Sequence, residues 1–380
     1  MQTAALGVLA WELTESNSYL GYMVFATLGP LGLLSLVGGS LADTADRRTI
    51  ILVTQAWQMI GTFVLAALVI DDSIDSTLLL ALVFVMALGQ GIFAPTFTSI
   101  VPSLAGPQNL QAAIALNSIQ VNVARVIGPA VGGFLTSVVG FAEVFFINGV
   151  TYLAVLWAVW VTDLPSPKAT NNSLSDRLFG GFRIAARAPQ VGRPLLTMML
   201  FSLLCLPFIA QLPAIAEQNL GVDAASTEYG WFYGIFGAGA LVGAILVGTV
   251  LVTLPKPFVA RATLFGFAVT LAWLTALSSI TIAYAAVFSV GLFYFVLPTT
   301  LNTIWQEHAK DSVRGRIAAL WVLSFGGTVP FAGLISGQII EVTTLRAVMY
   351  GGVVAAILLA VLMRLPEGDA VGEEILADPA

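Results

Sequence analysis

The sequence predicts an all-α polytopic membrane protein, with twelve transmembrane helices arranged as two six-helix bundles. Three observations carry that expectation. Apolar residues fill 58% of the 380 positions and charged residues only 9%, with a mean hydropathy of +0.93. A soluble core cannot hide that much apolar surface behind so few charges. The apolar residues fall into runs of the length needed to cross a hydrocarbon layer of ~30 Å. The scarce cations are sorted between alternate gaps, as the positive-inside rule requires.

The runs cover 1–13, 19–41, 49–70, 77–101, 112–138, 143–162, 194–216, 229–252, 262–280, 282–305, 317–340 and 347–363. Short polar clusters separate them: "TESNS", "DTADRR", "DDSIDS", "AGPQNLQ" and "EHAKDSVRGR". The first run is a defect. A helix of that length rises only ~20 Å at 1.5 Å per residue, and no positive n-region marks it as a signal peptide. A helix 1 shortened at its N-terminus is therefore expected, from either a misassigned start or a truncation.

One set of gaps holds Arg47, Arg48, Lys168, Arg177, Arg183, Arg187, Arg193, Lys256, Arg261, Lys310, Arg314 and Arg316, and Arg364 follows the last run. The other set holds Arg346 alone, and Arg125 lies inside a run. The basic side is expected to be cytoplasmic, with both termini of the complete protein on it, in a multi-pass protein of the cell membrane. The opposite gaps are acidic, through Glu15, Asp71, Asp72, Asp75, Asp223, Glu228 and Glu341.

The two halves repeat. "APTFTSI" at 94–100 resembles "LPTTLNTI" at 297–304, placing Pro95 opposite Pro298. "AAIAL" at 112–116 matches "GRIAA" at the same offset, and "GPAVGG" at 128–133 matches "VPFAGL" at 329–334. The expected organisation is a six-helix bundle over 1–162, a cytoplasmic linker over 163–193, and a second bundle with a short acidic tail over 194–380. In the linker, Leu174, Leu178, Phe182 and Ala185 share one face, and Arg177, Arg183 and Arg187 lie elsewhere. This predicts a short amphipathic helix at the membrane interface.

One cysteine, Cys205, and one histidine, His308, argue against disulfides and against zinc or haem centres. No cofactor and no metal are expected. The absence of a nucleophile–base pair or phosphate loop disfavours a membrane enzyme.

The densest charge is "GGSLADTADRR" at 38–48, in the cytoplasmic turn between the second and third runs. Gly39 permits close helix contact. Asp43 sits at the membrane edge, where a carboxylate can face the N-terminus of another helix. A helix contact that forms and breaks there is a latch; the alternative is a positive-inside turn with incidental acids.

Arg125 lies near the middle of the fifth run. A midplane arginine costs about 2.5–3.5 kcal/mol on insertion scales, so it must face protein or water. Ser118, Asn122 and Arg125 follow i, i+4, i+7 spacing and share a face, with Asn117 and Gln120 beside it. This face reads as cavity lining, or as a structural arginine bonded to helix-end carbonyls. Gln55, Gln58, Asn148, Tyr152, Gln211, Asn302 and Trp305 are further candidates for the cavity, and each alone also fits helix–helix glue. No Asp or Glu lies deep within a run; Glu12 is nearest and is the weak candidate for proton coupling.

These residues also carry a resemblance. "GGSLADTADRR" resembles the cytoplasmic signature of the major facilitator superfamily, Gly-x-Leu-Ala-Asp-x-x-Gly-Arg-Arg/Lys, at Gly39, Leu41, Ala42, Asp43, Arg47 and Arg48. Asp46 replaces the usual glycine, as in the branch that contains the enterobactin exporter and macrolide efflux proteins. "WELTESNSYLG", "ALNSIQVNVARVIGPAVGGFL" and "DSVRGRI" resemble that branch too. The resemblance implies the major facilitator fold. It also implies a latch in which Asp43, Arg47 and Arg48 meet the start of helix 11 near Arg314 and Arg316. Ala124, Gly128, Pro129, Gly132 and Gly133 resemble the antiporter signature of helix 5. One departure counts against a known proton route: "ALGQG" keeps Gln90 and Gly91 but has Ala87 where many drug–proton antiporters have arginine.

The function implied is secondary active efflux of a small organic molecule, a drug, macrolide or siderophore, by alternating access, with proton coupling open. A lysolipid carrier and a non-transporting receptor or scaffold remain alternatives. The expected partners are the substrate, the lipid bilayer and, if coupled, protons; no nucleic acid is expected, and the chain is expected to be a monomer.

Overall fold

The computed structural model describes residues 2–162, 164 and 174–365. Its elements are helical throughout: α1 Gln2–Thr14, α2 Asn17–Thr44, α3 Arg47–Ile70, α4 Ser76–Val139, α5 Phe141–Val161, α6 Leu174–Arg187, α7 Pro189–Cys205, α8 Pro207–Ala210, α9 Leu212–Ala214, α10 Thr227–Thr249, α11 Lys256–Ala276, α12 Ile280–His308, α13 Asp311–Val322, α14 Val329–Val342 and α15 Leu345–Leu362. Two π-helical turns, Ile215–Asn219 and Leu323–Gly327, follow α9 and α13, and a 3-10 turn, Leu251–Thr253, follows α10.

Local chemistry sets several of the starts. The side chains of Ser16, Asp46, Asp75 and Thr344 accept from the backbone N–H of Tyr19, Thr49, Leu78 and Ala347, so α2, α3, α4 and α15 open on side-chain caps. Gly140 lies between α4 and α5 at φ 97°, a conformation that favours glycine.

Among the described residues, eight helical stretches are long and apolar enough to cross a membrane: Arg47–Ile70, Ser76–Thr98, Phe141–Val161, Thr227–Thr249, Lys256–Ala276, Ile280–His308, Arg316–Val342 and Leu345–Leu362.

Four expected spans look different in the structure. Helical bonding runs unbroken through α4, including the "AGPQNLQ" segment that the sequence assigns to a turn. Polar composition was a poor guide there, because Gln, Leu and Ala are good helix formers. At 1.5 Å per residue α4's 64 residues come to ~96 Å of helix, several bilayer cores in length. The 194–216 run is broken into α7, α8, α9 and a π turn. Pro207 and Pro213 each remove a backbone donor at the start of a new piece. The 317–340 run is likewise interrupted by the π turn ahead of Pro330.

The chain packs as two compact units. One comprises Met1–Thr170, Ala210–Gln218 and Val222–Gly234; the other comprises Asn171–Ile209, Asn219–Gly221 and Ile235–Ala380. Chain order and packing order therefore differ: α10 starts in the first unit and continues in the second. The second unit holds a chain of rings, Phe201, Phe267, Phe208 and Phe236, whose successive centroids lie 5.1, 5.9 and 6.0 Å apart. In this unit α6 presses its apolar side on α7, α12 and α13. Ile184 shares a buried cluster with Ala188, Val191, Leu195, Trp305, Val313 and Ile317, while Phe182 and Arg183 stay exposed. The linker helix is thus present, but the side it buries is that of Gly181, Ile184 and Ala188; Phe182 of the expected apolar face is exposed, Ala185 is half-buried, and the side chains of Leu174 and Leu178 lie outside the described residues.

Candidate transport site

The charged turn links α2 to α3. Asp46 ends it as the cap of α3: its Oδ2 accepts from the Thr49 N–H at 3.0 Å and from the Thr49 hydroxyl at 2.6 Å. Those two bonds, the hydroxyl first, hold the Asp46 carboxyl below the usual carboxylate range. Arg47 is buried. Arg48 donates from Nη2 to the carbonyl of Trp160 in the last turn of α5. Gly39 and Asp43 lie on the α2 backbone, and Arg314 on that of α13, but their side chains lie outside the described residues. Arg316 is half-buried, and its carbonyl is 2.9 Å from the place a Cβ on Gly181 would take, so α6 lies directly on α13.

The side chains of Asn117, Ser118, Asn122, Arg125 and Pro129 also lie outside the described residues; their backbone is part of α4. The rest of the helix 5 motif is placed. Ala124 is exposed, Gly128 half-buried, and Gly132 and Gly133 buried. A Cβ on Gly133 would lie 3.0 Å from the Cα of Gly230, and one on Gly230 would lie 3.1 Å from the carbonyl carbon of Gly133. One turn away the Thr227 hydroxyl donates to that of Ser137 at 3.2 Å. The end of α4 and the start of α10 thus meet backbone to backbone.

Several candidate amides come together inside the first unit. The Tyr152 hydroxyl on α5 donates to Gln58 Oε1 on α3 at 3.3 Å, and Asn148 Nδ2 donates to Gln2 Oε1 on α1 at 2.7 Å. Gln55 and Gln58 are 4% and 7% exposed, and Gln58 Nε2 is buried without a protein partner. This joins α1, α3 and α5 through polar side chains; Gln2 was not singled out from the sequence, because an amide near a chain end carries no pattern of its own. Elsewhere, Asn302 Oδ1 accepts from Trp305 Nε1 at 2.9 Å within α12, Gln90 is half-buried on α4, and Glu12 is exposed on α1.

The broken stretch forms a second seam. Gln211, between α8 and α9, is 1% exposed and donates from Nε2 to the Asn17 carbonyl at 3.1 Å. A Cβ on Gly7 would lie 3.8 Å from Pro213, so α1 packs on α9, and Trp11 shares Gly7's face one turn on. Nε1 of Trp11, Oδ1 of Asn17 and Oε1 of Gln211 are all buried without a protein partner. Among the described residues, no group of three His, Cys, Asp or Glu side chains is placed to hold a metal ion.

Comparison with known proteins agrees with this architecture. The family described as "Transmembrane secretion effector" matches residues 1–377. Enterobactin exporter EntS of Escherichia coli O1:K1 / APEC is 27% identical over 95% of this chain and 87% of its own length. EntS of Shigella boydii serotype 18 (strain CDC 3083-94 / BS512) matches equally. Among solved structures, nucleoside transporter NupG has a TM-score of 0.73 at 11% identity, covering 95% of this chain and 94% of that one. The D-xylose-proton symporter has a TM-score of 0.72 at 12% identity, covering 95% and 93%. At such identities the structures attest the fold alone. With the cytoplasmic signature, the helix 5 glycines and the multi-pass helical fold all on one chain, the protein belongs to the transmembrane secretion effector family, a family of major facilitator superfamily transporters.

Proposed function

We propose that this transporter is a secondary carrier that exports a small organic molecule, of the siderophore, macrolide or drug class, by alternating access. The reading includes twelve crossings, cytoplasmic termini and a monomeric chain in the cell membrane. The relatives named as enterobactin exporters support the export direction and the size of the cargo. So does the helix 5 motif.

The observation that carries the reading is the segment from Ala210 to Gly234. It belongs to the later half of the sequence, yet most of it packs in the unit built from the first half. Its seams suit a contact that opens. A glycine pair separates without unthreading side chains. Trp11, Asn17 and Gln211 bury polar atoms without a protein partner, so the seam forfeits little when water reaches it. Asp43 is the proposed latch on the cytoplasmic side.

Everted membrane vesicles test the reading, with iron-free enterobactin and erythromycin as probes. Energised uptake into the vesicles by the parent, abolished in Asp43→Asn while the protein stays folded and inserted, is the expected result. Imposing and collapsing a pH gradient then decides coupling. Parental vesicles that accumulate neither probe, but flip a labelled lysolipid, move the assignment to a lipid carrier.

A further inference from the structure

Three arginines in this chain donate to carbonyls at a helix end or just beyond it. Arg48, the second residue of α3, donates from Nη2 to Trp160 in the last turn of α5. Arg261, inside α11, donates from Nη2 to Met363, the C-cap of α15, at 3.3 Å. Arg193 in α7 donates from Nη1 to the next carbonyl, that of Arg364, at 3.0 Å. The last carbonyls of a helix lack intrahelical donors and carry the negative end of its dipole. A guanidinium there meets both needs at once.

Both acceptors lie at the end of the last helix of a half: Trp160 in the last turn of α5 and Met363 at the C-cap of α15. The donors are not equivalent: Arg48 and Arg261 are 213 residues apart. One opens its helix and the other lies more than a turn inside. The repeat offset of 201–203 residues does not relate the two arginines, so they are not one duplicated arginine seen twice. Each contact also lies within one unit: Arg48 and Trp160 in the first, Arg193, Arg261, Met363 and Arg364 in the second.

We infer that Arg48 and Arg261 are positioning residues that anchor the last helix end of their own half, α5 and α15. Arg48 then leaves the latch set that the resemblance implied. Its task is to tie the charged turn at 43–48 to the end of α5, where the chain departs into the linker, so that turn and linker exit move as one body. Arg261, with Arg193 beside it, does the same where the chain departs from α15.

Hydrogen–deuterium exchange on the purified full chain tests this without reference to any transported molecule. Arg48→Gln should accelerate exchange of Ala158–Val161 about fivefold, a change of the size that helix-end charge interactions carry. Thr54–Thr62, in mid-α3, should exchange as in the parent. Arg261→Gln should do the same to the last turn of α15. Arg48→Lys should restore most of the protection, since the contact uses one N–H bond and a point charge can replace it. Parental exchange at Ala158–Val161 in Arg48→Gln overturns the anchor and returns Arg48 to the latch. Acceleration spread evenly over α3 and α5, or no rescue by lysine, also overturns it in favour of general destabilisation.

Discussion

Asp46 shows how a single residue can be read by its family and missed by its physics. Beside the usual signature it is a departure from glycine. In the structure it is the N-cap of α3, three residues before Thr49. The cap was legible, since an Asp ahead of an apolar run is an N-terminus signal. Asp46→Ala should cost about 1 kcal/mol in thermal unfolding. The pH dependence has a definite sign. Hydrogen bonds from Thr49 lower the folded pKa of Asp46. Its stabilisation is therefore complete above its unfolded value of about 3.9 and is lost as pH falls through the lower folded value. Exchange over Thr49–Ile51 should accelerate there in the parent and not further in Asp46→Ala. Arg125 is the other residue with a decisive substitution. On the α4 backbone it shares a helical face with Ser118 and Asn122, and an arginine in the middle of an apolar run needs a partner or water. Arg125→Lys should transport poorly, because the planar fork of donors is lost. Arg125→Ala should transport worse and still insert. Parental export by Arg125→Ala between about pH 6 and 8 returns Arg125 to a structural role.

At the scale of the element, α10 carries two kinds of glycine contact. A Cβ on Gly230 would lie 3.1–3.2 Å from the backbone of Gly133, a fit that strains slightly, whereas a Cβ on Gly239 would lie 2.0 Å from the Phe288 carbonyl oxygen on α12. Backbone at that distance must move. Gly230→Ala should therefore insert and fold, with faster thiol labelling at Ser137→Cys as α4 and α10 part more often. Gly239→Ala should instead lower the yield of folded protein, with overpacking costs of about 1–3 kcal/mol or more. Equal yields for the two variants would contradict the distinction. Gly133 was legible through its motif. Gly230 was not, because a glycine in an apolar run is as common in packing as in gating. Pro207 and Pro213 announced the breaks around α8 and α9, but an apolar run scored by length alone conceals them. The π turns have no sequence signal of this kind. The unbroken α4 shows the converse error, where polarity was taken for a turn.

At the scale of the whole molecule, the membrane class was legible because lipid imposes long apolar runs and sorted cations, and the family because "GGSLADTADRR" resembles its cytoplasmic signature. Which candidates would meet was not. Gln58, Asn148 and Tyr152 were each visible as polar residues in apolar runs, yet their joining with Gln2 depends on how α1, α3 and α5 pack, which no local pattern records. Sidedness remains directly testable. Cysteines placed at Ser73, between α3 and α4, and at Ser173, which lies outside the described residues, should label from opposite faces of the membrane. Labelling of both from one face would exclude the twelve-crossing arrangement.

The divided membership of the chain has a consequence for its synthesis. The first unit needs residues up to Gly234, but its main stretch ends at Thr170. At about 5–20 residues per second, the ribosome takes roughly 3–13 s to cover that interval. During that time the nascent first unit stands in the membrane with the faces of α1 and α4 that later receive α9 and α10 still bare. Lipid can occupy those faces, but it cannot bond the Asn17 carbonyl that Gln211 later claims. An insertase or chaperone that shelters polar membrane helices therefore has a timed opening on this chain, which closes when Gly230 arrives opposite Gly133.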